Sequence, residues 1–307
     1  MASRLRRALL AALVTASVVV PLVGASGPGE VPAPKPVALG PVSVAGLQER
    51  YAANREGIRA AERMADRHGD RRRAAALRTM RKPGRRFLSF DGRDGGRAVE
   101  VYGDLGRARR VAVLVPGSDT SLDTYARLRN GALALSRRLG EKAAVVSWLG
   151  YKTPGTVEPE VLTTGLADSA APRLVSFVRE LTAAKPGARI SLLCHSYGSV
   201  VCARAAHGLD AEDIVLYGSP GTGFDSARQL RTRATVWAGR GGSDWIGGVP
   251  HVRIPLLVTT VGFGTDPVSR EFGARVFDAG DAGHSDYLKP GSTALVSMSR
   301  IVAGRDA

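Results

Sequence analysis

The sequence predicts an α/β protein: a mostly parallel central sheet covered by helices on both faces, with a helical hairpin ahead of it. Three observations lead there. From Arg86 onward, short apolar runs alternate with helix-length stretches, and a strand that is apolar at every position is one covered on both faces, as in parallel sheets. At Ser196 the apolar run "RISLLCHS" turns directly into the helix-like "YGSVVCARAA", with no Pro or acidic residue between them. Before Arg86, residues 44–84 carry apolar positions at helical spacing, broken at Gly69 and closed by Lys82-Pro83-Gly84.

Taken in order, residues 1–25 read as a secretory signal peptide. Arg4, Arg6 and Arg7 precede an apolar run from Ala8 to Val23, and Val23-Gly24-Ala25 is a small-residue cleavage pattern. The run is 16 residues long and contains Pro21, short of the ~20 residues of a spanning helix. An uncleaved anchor is the competing reading. Export implies a secreted or cell-envelope location. Residues 26–43 are rich in Pro and Gly and read as an extended linker. In residues 44–84, Leu47, Tyr51, Ile58, Ala61 and Ala65 share one helical face from Val44 to His68. Asp70 is placed to cap a second helix. Leu47, Tyr51, Leu77 and Met80 demand burial, so this arm is expected to brace the main domain. A partner or the cell surface is the alternative.

The net charge of +15 is uneven: the first 85 residues hold 16 Lys and Arg against 6 Asp and Glu. No aromatic residue is interleaved with the arginines of 55–81, which argues against nucleic acid as a partner. Association with an anionic cell envelope through the basic arm is the functional reading that remains, beside a merely solvated face.

In residues 85–307, "RRFLSFD" and "RAVEVYGD" read as two strands joined by a Gly- and Asp-rich turn. "RVAVLVPG" is a strand followed by a helix from Leu122 to Leu139, and "AAVVSWLG" a strand followed by a helix from Leu166 to Ala184. "RISLLCHS" and its helix follow, then "EDIVLYGSPG", "ATVWAGRGG" and "ARVFDAGDAGHS".

A strand-to-helix corner lifts the Ser196 hydroxyl above the sheet at the positive end of a helix. It requires small residues two before and two after the serine. Gly198 meets that requirement and Cys194 roughly does. The serine needs a base. His284 follows the last strand in a Gly- and Asp-rich loop, where ligands bind in open α/β sheets. His207 lies in the helix after the serine, and His251 stands beside Pro250 in a loop. An acid must orient the histidine. Asp244 follows the strand before the histidine strand and leads, with Asp225 and Asp266 as alternatives. Two N–H groups must hold a developing oxyanion. Tyr197 is the expected first donor, and Ser118 or Asp119, after Pro116-Gly117, the second.

"VAVLVPGSDTSLDTY", "CHSYGS", "VWAGRGGSDWI" and "FGARVFDAGDAGHSDY" resemble the α/β-hydrolase superfamily, and in particular its actinobacterial branch catalogued as a domain of unknown function. The resemblance covers about residues 86–300, and the arm before them looks typical of the branch. It implies an α/β-hydrolase fold, the triad order Ser196, Asp244, His284, no cofactor, and an ester- or lipid-cleaving serine hydrolase with a small-molecule or lipid ester substrate. Where the wider superfamily often has His before the oxyanion glycine, this chain has Pro116. An amidase or peptidase, or a non-catalytic scaffold on this fold, are the other readings. Residues 150–170 either border an acyl pocket, with Trp148, Tyr151 and Leu162 as its apolar lining, or form a plain surface loop. The two cysteines flank the corner. Cys194 lies about 7 Å below it on the strand, and Cys202 about 9 Å below it on the helix. A bridge between Cys194 and Cys202 is open to them, as is burial as free thiols.

Overall fold

The computed structural model describes residues 31–249, 251, 254–255 and 260–305. The signal-peptide segment lies outside the described residues. The elements in chain order are α1 (Leu47–Arg67), α2 (Arg71–Met80), β1 (Arg86–Asp91), β2 (Arg97–Tyr102), β3 (Arg110–Val115), α3 (Ala126–Leu139), β4 (Ala143–Leu149), α4 (Gly165–Ala184), β5 (Arg189–His195), α5 (Tyr197–Ala205), β6 (Asp213–Tyr217), β7 (Thr235–Gly239), β8 (Ile254–Pro255), β9 (Thr260–Val261), β10 (Arg275–Val276) and α6 (Thr293–Val302).

Eight strands form one sheet in the order β1-β2-β4-β3-β5-β6-β7-β10, and β8 and β9 pair separately. β1–β2 and β2–β4 are antiparallel, and every other pairing of the large sheet is parallel. β4 is buried at all seven positions, as a strand covered on both faces must be. On one face pack Leu174, Val178 and Leu181 of α4 with Val200 and Val201 of α5. On the other pack Ala132 and Leu135 of α3 with Leu295, Met298 and Ile301 of α6.

From β3 the chain crosses to β4 on one side, then returns to β5 on the other. Loops leaving β3 and β5 therefore diverge, and the gap above their carboxyl ends is where an open α/β sheet binds ligands. Val115 at the end of β3 pairs with Cys194. That register puts the Ser196 corner beside the loop that begins at Pro116.

The arm is a helical hairpin, as expected, and it is packed. Asp70 caps α2 by accepting the Arg73 N–H at 2.8 Å. Ile58, Ala65, Leu77 and Met80 meet Phe87, Phe90, Leu122, Tyr125 and Leu149. Leu47 and Tyr51 join the core of the sheet. Several of its arginines serve that packing. Arg73 forks onto Asp123 at 2.6 and 3.0 Å, and Arg78 and Arg81 share Glu62. The buried Arg85 forks onto Glu100 at 2.6 and 2.6 Å, with the Tyr102 hydroxyl donating to the same carboxylate. Arg63, Arg67, Arg71 and Arg72 remain exposed, so the cationic face is narrower than the arginine count suggests.

The helix after β3 starts at Ala126, not at Leu122. The Thr124 hydroxyl donates to the Asp119 carbonyl at 2.8 Å and accepts the Ser121 N–H at 2.8 Å. Such side-chain bonds hold a turn at the expense of helix. Leu122 and Tyr125 are buried against the arm rather than along a helix. The final predicted strand also shrinks, to the two residues of β10, which leaves His284 in a long loop.

Candidate active site

Ser196 occupies φ 51°, ψ −126° between β5 and α5, a strained region for a residue with a Cβ and one that concentrates at functional sites. The corner is closed by glycine at two places. A Cβ on Gly198 would stand 2.5 Å from the Val115 carbonyl oxygen, and one on Gly117 would stand 2.6 Å from Ser196 Cβ. The close approach is therefore made after the serine and across from it. Before the serine, Cys194 is fully buried and bridged to Cys202, their Cα atoms 6.4 Å apart. The bridge ties β5 to α5 directly beneath the corner.

His284 Nε2 lies 3.0 Å from Ser196 Oγ, and His284 Nδ1 lies 2.8 Å from Asp244 Oδ1. The carboxylate accepts the Nδ1 proton, which leaves Nε2 to accept from the serine hydroxyl. Asp244 is 6% exposed. It also accepts from the Ile246 N–H at 2.9 Å and the Tyr287 hydroxyl at 2.5 Å. The Tyr287 oxygen in turn accepts the Gly241 N–H at 3.0 Å. Burial alone would raise the Asp244 carboxyl, but the bonds from His284, Tyr287 and Ile246 outweigh it and hold the group below the usual carboxylate range. An ionised acceptor thus faces the imidazole. The indole of Trp245, 56% exposed, lies tilted against that ring with centroids 4.7 Å apart.

The other candidates are elsewhere. Asp266 pairs with Arg240, the Asp225 N–H bonds the Gln229 side chain, and His207 sits in the short turn after α5. Of the two amides that follow Gly117, that of Asp119 donates to the Pro154 carbonyl at 3.0 Å. That leaves the Ser118 amide as the remaining candidate for the second donor. Tyr197 opens α5, so its N–H is one of those that have no acceptor within the helix. Its side chain is committed away from the corner, donating to the Thr163 carbonyl at 2.7 Å.

Two expected pocket residues are corrected. Trp148 and Tyr151 are each 2% exposed and belong to the core, because β4 is buried on both faces and the Tyr151 hydroxyl is drawn to the Pro116 carbonyl at 2.7 Å. Leu162 is 49% exposed. The cavity beside His284, about 330 Å³, is lined instead by Pro116, Arg127, Leu128, Tyr217, Tyr287 and Leu288, among others. Among the described residues no group of three His, Cys, Asp or Glu is placed to hold a metal ion.

Sequence reasoning passed over His195, although it stands next to Ser196 in the most informative stretch of the chain. Its Nε2–H donates to the His284 carbonyl at 2.7 Å, and its ring lies 5.0 Å from that of Tyr217 and 4.7 Å from that of His284. Burial, then the neighbouring His284 charge, lowers its pKa from 6.5 to about 3. It is neutral at ordinary pH and positions the main chain that carries His284. The unfolded chain takes up this proton near pH 6.5 and the folded chain only near 3, so stability contributed here is present above 6.5 and lost as pH falls through that window. The expected result is a thermal midpoint that falls less steeply between pH 6.5 and about 3 in His195→Asn than in the parent chain. Parallel slopes in the two proteins would contradict it.

An uncharacterized protein of Mycobacterium tuberculosis is 30% identical over 259 residues, an alignment covering 71% of this chain and 38% of the relative. Another, from Mycobacterium bovis, is 31% identical over 186 residues, covering 53% of this chain and 70% of that protein. The chain thus spans well under half the length of the first of these relatives. Among solved structures, a serine hydrolase without a lid from Xanthomonas campestris is similar at TM-score 0.46 and 18% identity, covering 73% of this chain and 94% of that one. The esterase LipW of Mycobacterium marinum is similar at TM-score 0.45 and 17% identity, covering 86% and 96%. A family model described as alpha/beta hydrolase matches residues 91–254. With more than half of its length so matched, and with the mostly parallel sheet and helical layers described above, the chain belongs to the α/β hydrolase family.

Proposed function

We propose that this protein is an exported serine hydrolase that cleaves a carboxylic ester, its substrate a small molecule or a lipid, through an acyl-enzyme. The observation that carries the reading is the relay from Ser196 Oγ through His284 to Asp244, with contacts of 3.0 and 2.8 Å. In the proposed cycle Ser196 Oγ attacks the ester carbonyl carbon while His284 Nε2 takes the hydroxyl proton. Asp244 holds the imidazole and stabilises its charged form. The backbone N–H groups of Tyr197 and Ser118 hold the tetrahedral oxyanion. As the carbonyl re-forms, His284 returns the proton to the leaving alcohol, and the acyl group stays on Ser196. A water molecule then attacks the acyl-enzyme, with His284 as base, to release the acid and regenerate the serine.

Export is supported by the basic, apolar and small-residue pattern of residues 1–25. The Cys194–Cys202 bridge also supports it, since such bonds persist in oxidising compartments. The exposed arginines of α1 and α2 suit contact with an anionic envelope. No helix among the described residues is long and apolar enough to cross a membrane.

Labelling of the intact chain with a fluorophosphonate, followed by peptide mapping and a panel of neutral 4-nitrophenyl esters of increasing length, tests the reading. The label is expected on Ser196 and turnover on at least one ester. A chain that takes no label and turns over no ester would be a scaffold on this fold.

A further inference from the structure

The cavity beside His284 has an exposed cation, Arg127, on its wall. It is walled by Pro116, Leu128, Tyr217, Tyr287, Leu288 and Pro290, and Arg127, Lys289 and Asp119 supply its charges. Asp119 is turned aside, its carboxylate taken by the Thr156 N–H at 3.1 Å and by the Thr156 hydroxyl. Lys289 faces Asp286 at 3.5 Å. The guanidinium of Arg127 has no ion-pair or hydrogen-bond partner among the described residues.

Its place does not serve the helix either. Arg127 lies in the first turn of α3, which holds no acidic residue and has no side-chain cap. A cation there repels the positive end of the helix dipole. The buried Arg73 and Arg85 pair with Asp123 and Glu100, whereas Arg127 is exposed at the rim of the site. Arg127 instead shares a cavity with His195 and His284, and its charge acts on the nearby His195, helping to keep it neutral.

Resting on the ester-hydrolase reading, we propose that Arg127 is a specificity-determining residue, and that the substrate is an ester bearing a second, anionic group, a carboxylate or a phosphate, which the guanidinium holds in this cavity. A planar fork of N–H donors suits either group, and such charge-assisted bonds are about twice as strong as neutral ones. The apolar walls take the chain between the anion and the scissile carbonyl, and His284, which lines the same cavity, contacts Ser196 Oγ at 3.0 Å. The ester itself is cleaved as described above, and the anionic group takes no part in bond making.

The test is a binding measurement on the full chain carrying Ser196→Ala, so that no ester is consumed. Three probes of matched length are compared by calorimetry: neutral butyl pentanoate, monobutyl glutarate with a carboxylate on the acyl side, and 2-phosphoethyl pentanoate with a phosphate on the alcohol side. At least one anionic ester is expected to bind roughly 10- to 100-fold more tightly than the neutral one. The two anionic probes separate an acyl-side carboxylate from an alcohol-side phosphate. Adding Arg127→Gln is expected to remove the preference, and Arg127→Lys to restore part of it. Equal affinity for all three esters, or a preference that survives Arg127→Gln, overturns the proposal. Failure of the hydrolase reading shows separately, as absent fluorophosphonate labelling of the parent chain.

Discussion

Ser196→Ala is expected to abolish fluorophosphonate labelling and to lower kcat by roughly 10⁶-fold, to the residual activity that binding and oxyanion donors sustain alone. The fold should be unaffected. The Ser196 hydroxyl contacts His284 at 3.0 Å, while the chain reversal around it rests on backbone and glycine packing. Gly198 lies against the Val115 and Pro116 carbonyls, and the Ser196 N–H donates to the Tyr217 carbonyl at 3.0 Å. Alanine keeps the Cβ and the positive φ, so thermal unfolding should stay within a few degrees of the parent. Full labelling of the alanine variant would falsify the nucleophile assignment; a variant that no longer folds would show that the corner depends on the hydroxyl.

Asp244→Asn is expected to lower kcat by about 10⁴-fold with little change in KM. The two carboxylate oxygens do different work. Oδ1 accepts from His284 Nδ1 and the Ile246 N–H, and Oδ2 accepts from Tyr287. An amide keeps the shape and loses the charge. If its NH₂ turns toward the imidazole, it selects the tautomer whose Nε2 carries the proton, and that nitrogen can no longer accept from Ser196. If it turns toward Tyr287, nothing ionised remains to stabilise the imidazolium. Asp225→Asn and Asp266→Asn should stay near the parent rate, since Asp266 is engaged by Arg240. A damaging Asp225→Asn beside a harmless Asp244→Asn would reassign the acid.

What could be read in advance was local. The apolar runs that became β3, β4 and β5 are continuous and short, and continuity is itself the mark of a doubly covered strand. The Ser196 corner was visible because strand composition changes to helix composition within one residue. His284 was visible because it follows the last apolar run in a Gly-rich loop. The candidate acids were visible only as a set. Asp225, Asp244 and Asp266 all follow strands or turns, and a spacing argument ranks them without deciding between them. Tyr287 and His195 carried no periodic signal. Each matters through one bond to a residue that the fold brings near, to Asp244 across 43 residues and to His284 across 89. Leu122 was misread because helix-compatible composition does not reveal that Ser121 and Thr124 will bond to each other and to Asp119.

The amino-acid sequence by itself determined the layered α/β architecture, the helical arm, the serine corner and the small set of residues able to partner it. These follow from the order and length of apolar runs and from the turn chemistry between them, which act over a few residues at a time. The tertiary structure decided which acid meets His284, that Cys194 and Cys202 are joined, that Asp119 gives its amide to Pro154, and that Trp148 and Tyr151 are core while Arg127 borders the cavity. Those outcomes depend on the strand order β4-β3-β5-β6-β7. That order sets distances between loops far apart in the chain, and it follows from the packing of the whole sheet rather than from any segment.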